Sequence, residues 1–143
     1  MFKWILGISI FCFLVGCSLN ATQEKALNLQ LGLFLKSLND PSRLAVVSRT
    51  HPAYVRYVRD LGPDYFKHVF ETVEQEDYTA FDREVVQMKA RGSEIQVHYK
   101  IKSNEVVFEL VAISSDDGKS WFFMPHDAYM NMLIGNNIPR LLL

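Results

Sequence analysis

Two cysteines and four histidines are the side chains in this 143-residue sequence best suited to covalent or proton-transfer chemistry. Cys12 lies inside the uncharged run "WILGISIFCFLVG" and Cys17 directly follows it. A thiolate is a nucleophile, so Cys17 suits covalent modification; half of a disulfide or a buried structural thiol are its other readings. The only cysteine that could pair with it, Cys12, belongs to the same apolar run. Among the histidines, His98 falls on the polar side of an alternating segment beside Lys100 and reads as solvated. His51 precedes Pro52 at a helix start, where capping accounts for it. His126 and Asp127 are neighbours, and neighbours in an extended chain point to opposite faces, so they make no dyad by themselves. A pairing of His51 with Asp127 would need tertiary structure. Zinc spacing, a phosphate-cradling glycine loop and a serine or cysteine nucleophile arrangement do not stand out. The expectation is therefore no catalytic residue, no metal ligand and no cofactor.

The chain opens Met1-Phe2-Lys3 and then runs uncharged from Trp4 to Gly16, thirteen residues. A spanning helix needs about 20. One cation, a short apolar stretch and small residues at its end have the form of a secretory signal peptide; an uncleaved amino-terminal anchor is the other reading. Leu14-Val15-Gly16-Cys17 resembles the lipobox of bacterial lipoproteins in all four positions. The resemblance implies cleavage between Gly16 and Cys17 and acyl chains, palmitate among them, on Cys17. Each buried methylene adds about 0.8 kcal/mol, so two or three chains anchor stably. Ser18, where an Asp would mean retention, implies the outer membrane in an organism that has one. The expected organisation is a signal peptide over 1–16, a lipidated terminus and short tether over 17–20, and one domain over 21–143.

Those residues must be carried by a folded domain. The sequence is 49% hydrophobic and 22% charged with a formal charge of -1, which fits a globular chain and excludes the basic footprint of a general nucleic-acid binder. Without a disulfide, a hydrophobic core must hold it together. Leu27, Leu31, Phe34 and Leu38 share one face of a helix over 21–38. Asp40-Pro41 and His51-Pro52 each open a further helix, and Gly62-Pro63 separates a last one. The second half changes period. "REVVQMKAR", "EIQVHYKIK", "EVVFELVAIS" and "SWFFM" read as strands, with Asp116-Asp117-Gly118-Lys119 as a hairpin turn. A short helix follows Asp127, and the terminal leucines of "NNIPRLLL" read as packing over a sheet edge. Helices followed by an antiparallel meander of about four strands make the class α+β.

"LGLFLKSLNDPSRLAVVSRTHPAYVRY", the alternating strands and "DGKSWFFM" resemble, in pattern, the nuclear transport factor two-like superfamily of cone-shaped α+β domains, with a cystatin-like domain as the nearest competitor. That resemblance implies a pocket between helices and a curved sheet. The aromatics available to line it are Tyr54, Tyr57, Phe66, Phe70, Tyr99, Trp121 and Phe123; ordinary core is their other reading. Isomerases and dehydratases of the superfamily place a histidine or carboxylate in the pocket, for which His51 or Asp127 would serve. Arg83, Lys89, Arg91, His98, Lys100 and Lys102 collect on the polar side of the first hairpin, offset by Glu94, Glu105 and Glu109. The expected function is a membrane-anchored, non-catalytic binding domain for a small apolar ligand or an envelope protein. A structural or protective lipoprotein, acting in envelope assembly or immunity, comes second and a pocket enzyme third. A homodimer is compatible with each.

Overall fold

A computed structural model describes residues 18–71, 82–102 and 107–134. Residues 1–17, Gly16 and Cys17 among them, the acidic stretch after Glu71, and the terminal leucines lie outside the described residues.

Helix α1 (Ala21–Ser37) begins where a reciprocal cap starts it. The Asn20 side chain accepts from the Gln23 backbone N–H at 2.8 Å, and the Gln23 side chain accepts from the Asn20 N–H at 3.0 Å. Its apolar stripe buries Leu27, Leu31, Phe34 and Leu35, each stabilising the fold by about 1.5–3 kcal/mol. Helix α2 (Leu44–Arg49) starts later than Asp40-Pro41 suggests. The Asp40 carboxylate accepts from the Ser42 N–H at 2.9 Å, making a local turn that competes with the helix. Arg43 then bridges the Phe70 and Leu38 carbonyls at 2.6 and 3.1 Å. Helix α3 (Pro52–Leu61) opens as its sequence indicates, with His51 Nδ1 accepting from the Ala53 N–H at 3.2 Å. Gly62 ends it at φ 123°, a conformation side chains disfavour. A short α4 (Pro63–Phe66) runs on into a π turn over Lys67–Glu71.

Strands β1 (Asp82–Arg91), β2 (Glu94–Lys102), β3 (Val107–Ser114) and β4 (Phe122–Pro125) form one antiparallel sheet in chain order, and helix α5 (His126–Ile134) follows. Ile95, Val97, Tyr99 and Ile101 of β2, with Leu110 and Ala112 of β3, pack against α1. The opposite face carries Val111, Ile113 and Met124, which pack with Val55 and Val58 of α3 and Tyr129 and Met132 of α5. Helices therefore cover both faces of the central strands.

The two edges of the sheet differ. Beside β4, Thr50 bridges Phe123 in parallel and His51 donates its N–H to the Phe123 carbonyl at 2.9 Å. Strand β1 is exposed along almost its whole length, with Val85 at 55% and Val86 at 59% exposure. Its register shifts between Val85 and Gln87, a bulge at Val86. The bulge divides the basic stripe expected on the hairpin. Arg83 pairs with Ile101 on the α1 side, whereas Lys89 pairs with Gln96 on the other.

Candidate functional site

Strict alternation along β2 sends Gln96 and His98 to the face where solvent was expected. Both are buried instead, His98 to 6% exposure, because α5 turns back from β4 and lies over that face. His126, Tyr129 and Met132 recur at three-residue intervals along one side of α5. The reading of His98 as solvated is thus corrected. Its missed signal is Leu110 to Ile113, four successive apolar residues in β3, as expected of a strand buried on both faces.

The His98 ring stands 5.6 Å from the His126 ring and 5.3 Å from the Tyr129 ring, edge to face with each. Tyr129 donates its hydroxyl to Gln96 Oε1 at 2.8 Å, which fixes the phenol across the sheet. His126 Nδ1 lies 3.2 Å from Glu109 Oε2 and 4.0 Å from Asp127 Oδ1. Because His126 and Asp127 begin a helix, the extended-chain argument that parted them does not apply, and Glu109 from β3 is the nearer carboxylate. Among the described residues, His98 Nε2 is the buried side-chain polar atom without a hydrogen-bond partner.

Burial lowers the His98 pKa to about 4, helped by neighbouring His126 and Lys89 and opposed by Glu109. The ring is neutral at pH 7, with one nitrogen to donate and one to accept. A base this weak is poorly matched to proton abstraction near neutrality. His51 is lowered to about 4 as well, by burial first and Arg56 second, and its Nδ1 is already engaged with the Ala53 N–H. It stands edge-on to Phe122, at 6.3 Å. His68 is exposed on the π turn.

The seven aromatics considered for one pocket fall into two groups with the sheet between them. Tyr99, Trp121 and Phe123 belong to the α1 side, where Phe123 stacks on Phe34 at 4.9 Å and the Trp121 indole donates to the Gly118 carbonyl at 2.9 Å. Burial pushes the Tyr99 hydroxyl up to about 12. Tyr54, Tyr57, Phe66 and Phe70 belong to the α3 side, with Tyr54 and Phe66 packed on Phe70 at 5.9 and 5.1 Å. They belong to two core clusters, one on each face of the sheet.

Among the described residues, no three metal-ligating side chains converge, and no helix is long and apolar enough to cross a membrane. The fold and cluster together define an α+β domain with an open four-strand antiparallel sheet and two imidazoles on its second face. No protein-family model matches the chain, and no curated protein or solved structure matches it significantly.

Proposed function

We propose that the protein is a lipid-anchored binding domain of the bacterial cell envelope, held by acyl chains on Cys17 and recognising a small ligand at the His98 cluster or a protein partner along the exposed β1 edge. The observation that carries the binding role is the unpartnered His98 Nε2 beside the His126–Glu109 pair. A buried polar atom left unpaired costs about 1–3 kcal/mol, which a ligand offering the complementary group would recover. The anchor rests on Leu14-Val15-Gly16-Cys17. The low basicity of His98 and His51 supports binding over acid–base catalysis. Kinship with nuclear transport factor two-like or cystatin-like domains belongs to the proposal too, supported by the order of helices before an antiparallel meander.

A protein partner is favoured over a small ligand by one further feature, the exposed backbone edge of β1 with Val85 and Val86 upon it. Native mass spectrometry of the chain extracted from envelope membranes separates these readings. A small-molecule adduct lost in His98→Leu supports a ligand site; a copurifying protein lost in Val86→Lys supports a partner site at the β1 edge. A bare mass with no bound species in either form refutes the binding role. For the anchor, Cys17→Ala should move the protein from the membrane to the soluble fraction with its circular dichroism unchanged; retention in the membrane would refute acylation.

A further inference from the structure

Leu19 packs against the α1-side core and Asn20 closes the cap of α1, so the fold takes hold two residues after Cys17. Successive Cα atoms are about 3.8 Å apart, so the Cys17 Cα lies within about 8 Å of the Leu19 Cα. A lipid headgroup layer is only about 5–7 Å deep per leaflet. An acylated Cys17 therefore brings the start of α1 down to the headgroups.

The start of α1 is bonded to the β3–β4 turn, which is bonded in turn to the β1–β2 turn at the same end of the sheet. Gln23 Nε2 donates to the Asp117 carbonyl at 3.0 Å and approaches Asp117 Oδ1 at 3.3 Å. The Asp117 N–H in turn donates to the Ser93 carbonyl at 2.9 Å. Further along, Gln30 ties α1 to Lys119 and Trp121 at 3.1 and 2.8 Å. These bonds join helix and turns, so a short tether at Leu19 holds this end of the domain close to the bilayer.

We infer that the end of the sheet carrying the β1–β2 turn at Gly92-Ser93 and the β3–β4 turn at Ser115–Ser120 is a membrane-facing surface, resting on lipid headgroups while the strands lead away from the bilayer. The inference rests on acylation of Cys17 as proposed above. Its surface is polar and of mixed charge, with Arg91 and Lys119 beside Glu94, Asp116 and Asp117, which suits zwitterionic headgroups rather than insertion among acyl chains. It also leaves the His98 face and the β1 edge directed sideways, clear of the lipid.

The test uses the mature lipidated chain in vesicles of phosphatidylethanolamine and phosphatidylglycerol, a fraction of the lipids bearing a headgroup nitroxide. A fluorophore is placed on Lys119→Cys or Ser93→Cys at the near end, and on Val107→Cys at the far end. Strands rise about 3.3 Å per residue, so Val107 lies about 23 Å from Ser114 along β3. Quenching at either near-end site should exceed that at Val107→Cys at least threefold. Using two near-end sites guards against a variant that misfolds. Equal quenching at both ends, or stronger quenching at Val107→Cys, with an acyl mass present on the Cys17 peptide, overturns the orientation alone. An unmodified Cys17 peptide overturns the anchor and the orientation together.

Discussion

Replacing His98 with leucine tests the electrostatics of the second face directly. At pH 7 the folded ring is neutral and its Nε2 is unpartnered, so His98→Leu removes a polar burial cost of about 1–3 kcal/mol while supplying a side chain of similar bulk. The variant should be at least as stable as the parent at pH 7. The larger effect lies in the pH dependence. An unfolded histidine takes up its proton near pH 6.5, whereas His98 in the fold does so only near 4. As pH falls from 7 to 5 the unfolded state gains protons first, so stability present above about 6.5 is lost progressively toward about 4. For one such histidine the loss between pH 7 and 5 is about 1–2 kcal/mol. His51, also lowered to about 4, should contribute a similar share. Urea unfolding of the mature chain at pH 7, 6 and 5 reads both effects, and His98→Leu should retain roughly half of the parent's decline. The reasoning fails if the variant declines as steeply as the parent. It fails equally if stability at pH 7 drops by more than about 2 kcal/mol, because Nε2 would then have held a partner.

Leu31, completely buried between α1 and the sheet, should cost about 2–5 kcal/mol when replaced by alanine, read as a lower urea midpoint with unchanged slope. Gly118→Ala should cost about 1–3 kcal/mol. Its φ is 80°, and an added Cβ would sit 2.7 Å from Gln23 Cγ. A fall of less than about 0.5 kcal/mol by urea unfolding would show that neither the collision nor the backbone strain matters. Spectrophotometric titration should place one tyrosine, Tyr99, at about 12, and replacing it with phenylalanine should remove that step.

How much of this was legible in the sequence differs from element to element. The α1 stripe and the strand alternation could be read because each repeats over several turns or pleats, and repetition is a local property. The late start of α2 could not, since the Asp40 side chain bonds the Ser42 N–H in a turn and Arg43 is held by the carbonyls of Leu38 and of Phe70, a residue of the distant π turn. The bulge at Val86 was hidden for a related reason: one extra residue changes which side every earlier residue faces, and only the partner strand reveals it. The site itself was missed because alternation says that a strand has two faces without saying how many are covered. His98 was placed correctly on its strand, and its neighbours Tyr129 and His126 come from a helix about 30 positions further along the chain.

The contrast between the two margins of the sheet has a consequence for assembly. A ribbon that accepts new strands on both sides can grow without limit, and that geometry underlies fibrous aggregation. In this domain, Thr50 and the His51 N–H already occupy the middle of the β4 margin. Among the described residues, only the bulged margin at β1 is left for another strand. Addition there consumes the margin left to each participant among the described residues, so an edge-to-edge association at β1 closes at two members.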